Sequence, residues 1–492
     1  MNEKYQSYET VIGLEVHVEL ATRTKIFCSC STAFGAGPNT QVCPVCMGMP
    51  GALPVFNEKV LEYAIAAGLA LHCRISPVTP FDRKNYFYPD NPQNYQISQL
   101  YVPLCHDGYV ELDTTDEASG QKKRIRIHEI HMEEDAGKLN HDIINGNSLV
   151  DYNRSGVPLI EIVTEPDMRN AEEVIAFLEN LQCLLQYLGV SDCKLQEGSM
   201  RADVNLSVRK KGFEIMGTRT EMKNLASFTA IKKAIAKESM RQIDLLEEGL
   251  LVVQETRRFD EDKEETFSMR SKEDANDYRY FPEPDLPPVV VSEKLLARIR
   301  QSQPEFRDAK RIRYAKEYQL PTYDIDQITA SKPLADFFEA TVALGAPAKK
   351  VSNWIMVETM RLLKENNMEA GELRISPENL AKLIRLTEAR TINSTVAKDV
   401  FEKMFSSDID PEEYVEQEGL GMVADEGQLE QVVHKVLHDN PKSVEDYLGG
   451  KEKAIGYLVG MAMKESKGKA DPGILTGLLK DSLEKMKTDN IS

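Results

Sequence analysis

The ten residues VIGLEVHVEL, Val11 to Leu20, constrain this chain more than any other stretch. Successive side chains of an extended strand point to opposite faces. Leu14, Val16, Val18 and Leu20 therefore share one side, and Glu15, His17 and Glu19 share the other. One apolar face and one Glu-x-His-x-Glu face predict a core below the strand and a polar floor above it. Two carboxylates and an imidazole on a rigid floor can hold a metal ion and, with it, a polyanionic substrate such as a nucleotide. The plainer reading is the solvated outer face of a half-buried edge strand. The rest of the chain decides between them.

At 492 residues the chain is too long for one compact core, and roughly two to four domains are expected. It has no run of about 18 apolar residues, and its start, MNEKYQSYET, lacks the apolar segment of a signal peptide. Both points argue for the cytosol. A net charge of −19 argues against a protein that coats nucleic acid through bulk electrostatics, while leaving room for a local basic patch that reads one structured RNA. Eight cysteines in such a chain are not a disulfide framework. Cys28, Cys30, Cys43 and Cys46 crowd together; Cys73, Cys105, Cys183 and Cys193 are scattered.

Up to about Pro288 the sequence is strand-rich, with alternation over 109–112, 123–127, 158–163 and 201–208. The polar stretch DTTDEASGQ reads as a hairpin loop. Helices are predicted over 57–71, capped by Asn57, and over 170–188, ending at Gly189. The proline-punctuated FPEPDLPPV marks the end of the first domain. Helical periodicity follows, and Asp471-Pro472 is a cap followed by a first-turn proline. The fold class is therefore α+β at the front and all-α behind: residues 1–291, a helical domain 292–407 and a small helical tail 408–492.

The cysteine cluster, Cys-x-Cys, twelve residues, then Cys-x-x-Cys, suits a closed tetrahedral zinc site that braces the loop 28–46 and does no chemistry. A thioredoxin-type CPVC is the rival, but GMPGALP follows where a helix should begin. A second acidic group lies in HEIHMEEDAGK, with Glu133, Glu134 and Asp135 consecutive. Such a run is commonly a solvated turn. However, Glu161 stands inside an apolar run, where an unpaired carboxylate is costly to bury. In RADVNLSVR, Arg201, Asp203 and Asn205 share the face opposite Ala202, Val204 and Leu206. Arg219, Glu221 and Lys223 align likewise in TRTEMKNL. If these strands join one sheet, it carries oxygen ligands for Mg²⁺ beside cations for phosphate, a combination suited to phosphoryl transfer. Arg83, Lys84, Arg257 and Arg258 are further phosphate candidates, though surface pairing is the commoner fate of an arginine. There is no G-x-x-x-x-G-K-[ST] loop, no G-x-S-x-G and no serine–lysine amidase signature.

Taken together, VIGLEVHVEL, FDRKNYFYPDNPQNYQISQ, HMEEDAGK, PLIEIVTEPD, QEGSMRADVNLS, QETRRFD, DYRYFPEPDLPP and AIGYLVGMAMKESKGKADP resemble the B subunits of aspartyl/glutamyl-tRNA amidotransferases over essentially the whole chain. The resemblance implies a cradle-shaped, largely antiparallel kinase domain related to the glutamine synthetase fold. It implies ATP-dependent activation of the side-chain carboxylate of Glu-tRNA(Gln) or Asp-tRNA(Asn), then amidation by ammonia. The ammonia would be released from glutamine in the amidase, or A, partner, with a small C partner tying the two together. Helical and tail domains would grip tRNA, and Lys464, Lys467 and Lys469 are the clearest basic spot there. The family's Mg²⁺ positions fall on Glu15, His17, Glu133 or Glu134, and Glu161, with Asp203 a further ligand or a carboxylate in the ammonia path. Arg83, Lys84 and Arg201 are candidates to steady the γ-phosphate of ATP. Zinc at Cys28, Cys30, Cys43 and Cys46 would be structural. The rivals are a zinc-stabilised RNA-binding protein without activity and a stand-alone amidase using Cys73, Cys105, Cys183 or Cys193.

Overall fold

The computed structural model describes residues 3–115, 122–142, 146–271, 278–422, 426–466 and 470–489. Most of the expected DTTDEASGQ loop lies outside these, as do Lys467 and Lys469. The chain divides into two compact units, 1–306 and 307–492.

The first unit is built on a nine-stranded mixed sheet. Its strands are β1 (Tyr8–Glu19), β2 (Arg74–Ile75), β3 (Cys105–Thr115), β4 (Lys122–Glu134), β5 (Pro158–Thr164), β6 (Met200–Lys210), β7 (Thr220–Lys223), β8 (Glu255–Asp260) and β9 (Glu265–Ser271). They lie in the order β9-β8-β7-β6-β1-β5-β4-β3-β2. Neighbours are antiparallel except β7 and β8, which run parallel. The strand with the most telling alternation is central, not an edge. Leu14, Val16 and Val18 are fully buried in the core, while Glu15, His17 and Glu19 remain partly accessible on the other face.

Three helices cover the apolar face, because each carries its hydrophobic residues on one stripe. They span Glu58–Ala70, Ala171–Leu188 and Phe228–Glu247, and their buried residues join the core of the sheet. The caps follow the sequence: Asn57 accepts from the Lys59 amide, Asn170 accepts from the Glu173 amide, and Gly189 takes the left-handed turn. Gly68 lets the first of these helices lie close on β3, since a Cβ there would stand 2.4 Å from Cys105 Sγ. Gly68→Ala is therefore expected to cost about 1–3 kcal/mol of stability, measured by urea denaturation.

The first unit runs past the boundary expected near residue 291. Helix Glu293–Gln301 has the periodicity of the helices that follow, but it buries Ile299 in the core of the first unit. Periodicity shows that a helix has an apolar stripe and not which core receives it. The second unit is helical with two separate cores, one over 314–415 and one over 429–483. Its last helix starts as read, with the Asp471 carboxylate accepting from the amides of Gly473 and Ile474. Among the described residues, no helix is long and apolar enough to cross a membrane.

Candidate metal and phosphate site on the sheet floor

Register brings the polar residues together. Across the sheet, Arg201 of β6 lies opposite His17 of β1, His17 opposite Glu161 of β5, and Glu161 opposite His131 of β4. Two residues further along, Asp203 lies opposite Glu15, and Asn205 lies opposite Glu221 of β7. Directly opposed residues project from the same face. The polar floor expected if these strands join one sheet is thus assembled from five of them.

Two clusters stand on it. In the first, ligand atoms of His17, Glu133 and Glu161 lie within 4.8 Å of one another. His17 Nε2 is 3.4 Å from Glu161 Oε2 and 3.5 Å from Glu133 Oε1, and His131 Nε2 is 3.1 Å from Glu161 Oε2. Burial disfavours the imidazolium of both histidines, but the acids around them outweigh it. The His17 pKa is raised, and that of His131 reaches about 10. Burial likewise opposes the Glu161 carboxylate, yet the two histidines hold it well below the usual carboxylate range.

In the second cluster, carboxylates of Glu15, Asp203 and Glu221 lie within 4.8 Å of one another. Lys223 Nζ sits among them, 2.5 Å from Asp203 Oδ2 and 2.8 Å from Glu221 Oε1. Asn205 Nδ2 donates to Glu15 Oε1 at 2.9 Å, while Asn205 Oδ1 is buried without a hydrogen-bond partner. Burial, aided by the charge of Glu161, pushes the Glu15 pKa up. Glu15 and His17 are two residues apart on one strand face, so the clusters are about 7 Å apart along it. An all-oxygen set with an orphaned amide oxygen suits a hard divalent cation, and a set with one imidazole nitrogen admits Mn²⁺ as well.

Several expectations need correction. Glu134 does not join Glu15, His17 and Glu161. It shares the core-side parity of Met132, accepts from Gln93 Nε2 at 2.6 Å and the Ile97 amide at 2.9 Å, and burial raises its pKa to about 8. Glu133 takes its place. Arg83 is not poised over the floor: it holds Glu283 through two bonds and Asp285 at 2.9 Å, and lies over the Tyr95 ring. Lys84, the next residue, lies over the Tyr278 ring instead. Burial opposes its ammonium, but Glu133 and Glu161 are among the groups that raise its pKa, so this cation does share the field of the first cluster. Arg201 donates to Asp135 Oδ2 at 2.9 Å at the edge of the floor. Arg257 is turned to the core side, bonded to Thr266 and Glu255, and is no phosphate clamp. Cys73, Cys105, Cys183 and Cys193 are buried, and burial pushes the Cys73 and Cys193 thiols up to about 12, which removes the stand-alone amidase reading.

His131 stands against Glu161 of the first cluster, although it was not among the expected ligands, and Glu221 and Lys223, which the sequence puts on one polar strand face, stand in the second. The parity of Ile130 and Met132 already puts His131 and Glu133 together and Glu134 on the other side. That signal was present in the sequence.

The cysteines also converge. Sulfurs of Cys28, Cys30, Cys43 and Cys46 lie within 4.8 Å of one another, with Cys43 and Cys46 Sγ 3.9 Å apart. Four thiolates around zinc at about 2.3 Å would stand about 3.8 Å apart. The Cys43 amide donates to Cys46 Sγ at 3.2 Å, and a hydrogen bond from Cys28 is the main cause lowering the Cys46 thiol to about 4. The donor set therefore fits structural zinc. Elemental analysis is expected to find about one zinc per chain, lost in Cys46→Ser; a stable metal-free wild-type preparation would reject the site.

The family model for the GatB/GatE catalytic domain matches residues 10–297, and that for the GatB domain matches residues 336–483. Relatives named as B subunits of aspartyl/glutamyl-tRNA(Asn/Gln) amidotransferases are similar over their whole length. The protein of Agathobacter rectalis is 64% identical, covering 97% of this chain and 100% of its own. That of Lachnoclostridium phytofermentans is 60% identical, covering 97% and 99%, and that of Carboxydothermus hydrogenoformans 53%, covering 98% and 100%. On sequence, domain content and length, the chain belongs to the family of aspartyl/glutamyl-tRNA amidotransferase B subunits.

Proposed function

We propose that this chain is the kinase and transamidase component of a cytosolic tRNA-dependent amidotransferase, working with an amidase (A) partner and a small C partner. The side-chain carboxylate of Glu-tRNA(Gln) or Asp-tRNA(Asn) attacks the γ-phosphorus of ATP, and ADP leaves. Ammonia, released from glutamine by the amidase, then attacks the acyl phosphate, and phosphate leaves as the amide forms. The observation that carries this reading is the pair of adjacent acidic clusters on one polar sheet face. Glu15, Asp203 and Glu221, with the Asn205 amide oxygen, would hold Mg²⁺; His17, Glu133 and Glu161 would hold a second divalent cation. Such cations neutralise the triphosphate as charge moves onto its oxygens.

The chain's own residues position and neutralise. Lys84 and Arg201 flank the floor as fixed positive charge, and no base need come from the protein, because the attacking carboxylate is already ionised and ammonia is already a nucleophile. The cradle shape and the kinship with the glutamine synthetase fold are part of the same proposal, supported by family membership and by a large mixed sheet with one polar face. The helical domain and tail would recognise tRNA. A zinc-stabilised RNA-binding protein without activity fits poorly, since stacked carboxylates repel a phosphate backbone.

The test is the chain assembled with its amidase and small C partners and supplied with Glu-tRNA(Gln), glutamine and ATP. ATP cleavage that depends on the charged tRNA, with formation of Gln-tRNA(Gln), is expected. Intact ATP with all components present would overturn the reading.

A further inference from the structure

Beside the floor lies a cleft of about 540 Å³, within the first unit. One wall is the polar face of the sheet, with Glu19, Arg201 and Asp203. The other is the loop between the two cysteine pairs, from Thr32 to Gln41, on which Phe34 lines the cleft with 79% of its surface exposed. Of the large hydrophobic side chains that stand exposed on the described residues, Phe34 is the one that lines this cleft.

The loop is not loose. Lys25 Nζ donates to the Gln41 carbonyl at 2.9 Å, the Gln41 amide to Asn153 Oδ1 at 2.8 Å, and Asn153 Nδ2 to the Gly37 carbonyl at 2.6 Å. The Asn39 amide donates to Asp151 Oδ1 at 3.0 Å. With the cysteine cluster at its base and these bonds at Gly37, Asn39 and Gln41, the loop that carries Phe34 is anchored against residues 151–153. Fixed, exposed aromatic rings are the platforms on which single-stranded bases stack.

The charges of the cleft favour one occupant. Arg201 and Arg154 both face Asp135, at 2.9 and 3.5 Å, and Glu19 stands 3.9 Å from Arg201. The two guanidinium charges of this cleft are therefore answered by carboxylates, which suits it less well to a triphosphate than the metal floor beside it. A nucleoside bearing an aminoacyl ester brings little negative charge and matches the size of small-ligand clefts, ~300–1,000 Å³.

We infer that Phe34 stacks on the terminal adenine of the aminoacylated tRNA, so that the cysteine-braced loop forms the wall seating the acceptor end beside the metal floor. This rests on the proposed function, and it can fail separately. In the complete three-protein complex, binding of uncharged tRNA(Gln) is compared with tRNA lacking its last adenosine, without ATP or glutamine. The wild type is expected to lose about tenfold in affinity on that truncation, and Phe34→Ala to lose almost nothing further. Phe34→Trp should keep the discrimination. In turnover, Phe34→Ala should raise KM for Glu-tRNA(Gln) by a similar factor, with kcat and KM for glutamine unchanged.

Phe34→Ala that still discriminates as the wild type does would overturn the stacking. So would a raised KM for ATP alone, which would assign the adenine to the nucleotide, or dissociation of the complex, which would make Phe34 a contact with a partner protein. A wild-type complex that shows the adenosine-dependent, Phe34-dependent binding but amidates nothing would overturn the functional reading and leave the stacking standing.

Discussion

Glu161→Gln is expected to lower tRNA-dependent ATP cleavage by at least about 100-fold, the usual scale for removing one group that meets developing charge in a closed site. Glu161 is the hinge of the first cluster: both His17 and His131 point to it, and its field reaches Glu15 and Lys84. The amide keeps the size of the side chain and one acceptor oxygen but loses the charge that the cluster is arranged around. Glu134→Gln is the matched control. Glu134 is buried with its pKa raised to about 8, and its Oε1 serves only as an acceptor for Gln93 and Ile97. An amide oxygen does that as well, so activity near wild type and a stability change within about 1 kcal/mol are expected. The reverse ranking, measured as kcat for ATP cleavage by the complete complex, would show that the wrong face of β4 had been assigned to the site.

Glu238→Ala is expected to destabilise the first unit by about 3–5 kcal/mol, read as a drop in the denaturation midpoint. Glu238 is fully buried on helix Phe228–Glu247. It bonds Arg241 at 2.7 and 2.9 Å, accepts from Thr220 at 2.9 Å and Thr266 at 2.8 Å, and lies 3.3 Å from Arg257. Alanine would leave two guanidinium groups with less compensation beneath the parallel β7–β8 junction. Burial opposes the Glu238 carboxylate, but the hydrogen bonds from Arg241 and Gln242 and the Arg241 charge outweigh it and depress its pKa. Its contribution is therefore present above the unfolded carboxylate range and is lost as pH falls through the depressed folded value. The gap between wild type and variant should narrow only under acid conditions. Since Thr220 adjoins Glu221, partial loss of activity at temperatures where the variant is folded would show the same network positioning the second cluster.

Much of the site was legible because alternation is local. From Leu14 to Leu20 every second residue is apolar, so Glu15, His17 and Glu19 had to share a face wherever the strand went. The same rule aligned Arg201, Asp203 and Asn205, and the spacing of the four cysteines announced their cluster. Glu134 was misplaced although Ile130 and Met132 carried its parity, because three consecutive acids hide the alternation at the end of β4. Arg83 and Arg257 were not legible at all. Arg83 meets Glu283 far along the chain, and Arg257 meets Glu238 of a helix as well as its neighbour Glu255; a basic residue before it meets such a partner looks the same whether it clamps phosphate or staples a fold. The helix 293–301 was readable as a helix but not as part of the first core.

By itself the sequence determined which side chains share a face, where helices begin and end, and that four thiols cluster, because strand and helix periods and cap chemistry depend only on near neighbours. The tertiary structure decided that the acids divide into two adjacent clusters, that Glu133 and Glu161 meet His17 in one of them, and that a lysine stands among the carboxylates of the other. Those outcomes depend on strand order and register. Register is set by how the apolar faces of all nine strands fit the helices behind them, so it belongs to the whole core and to no single segment.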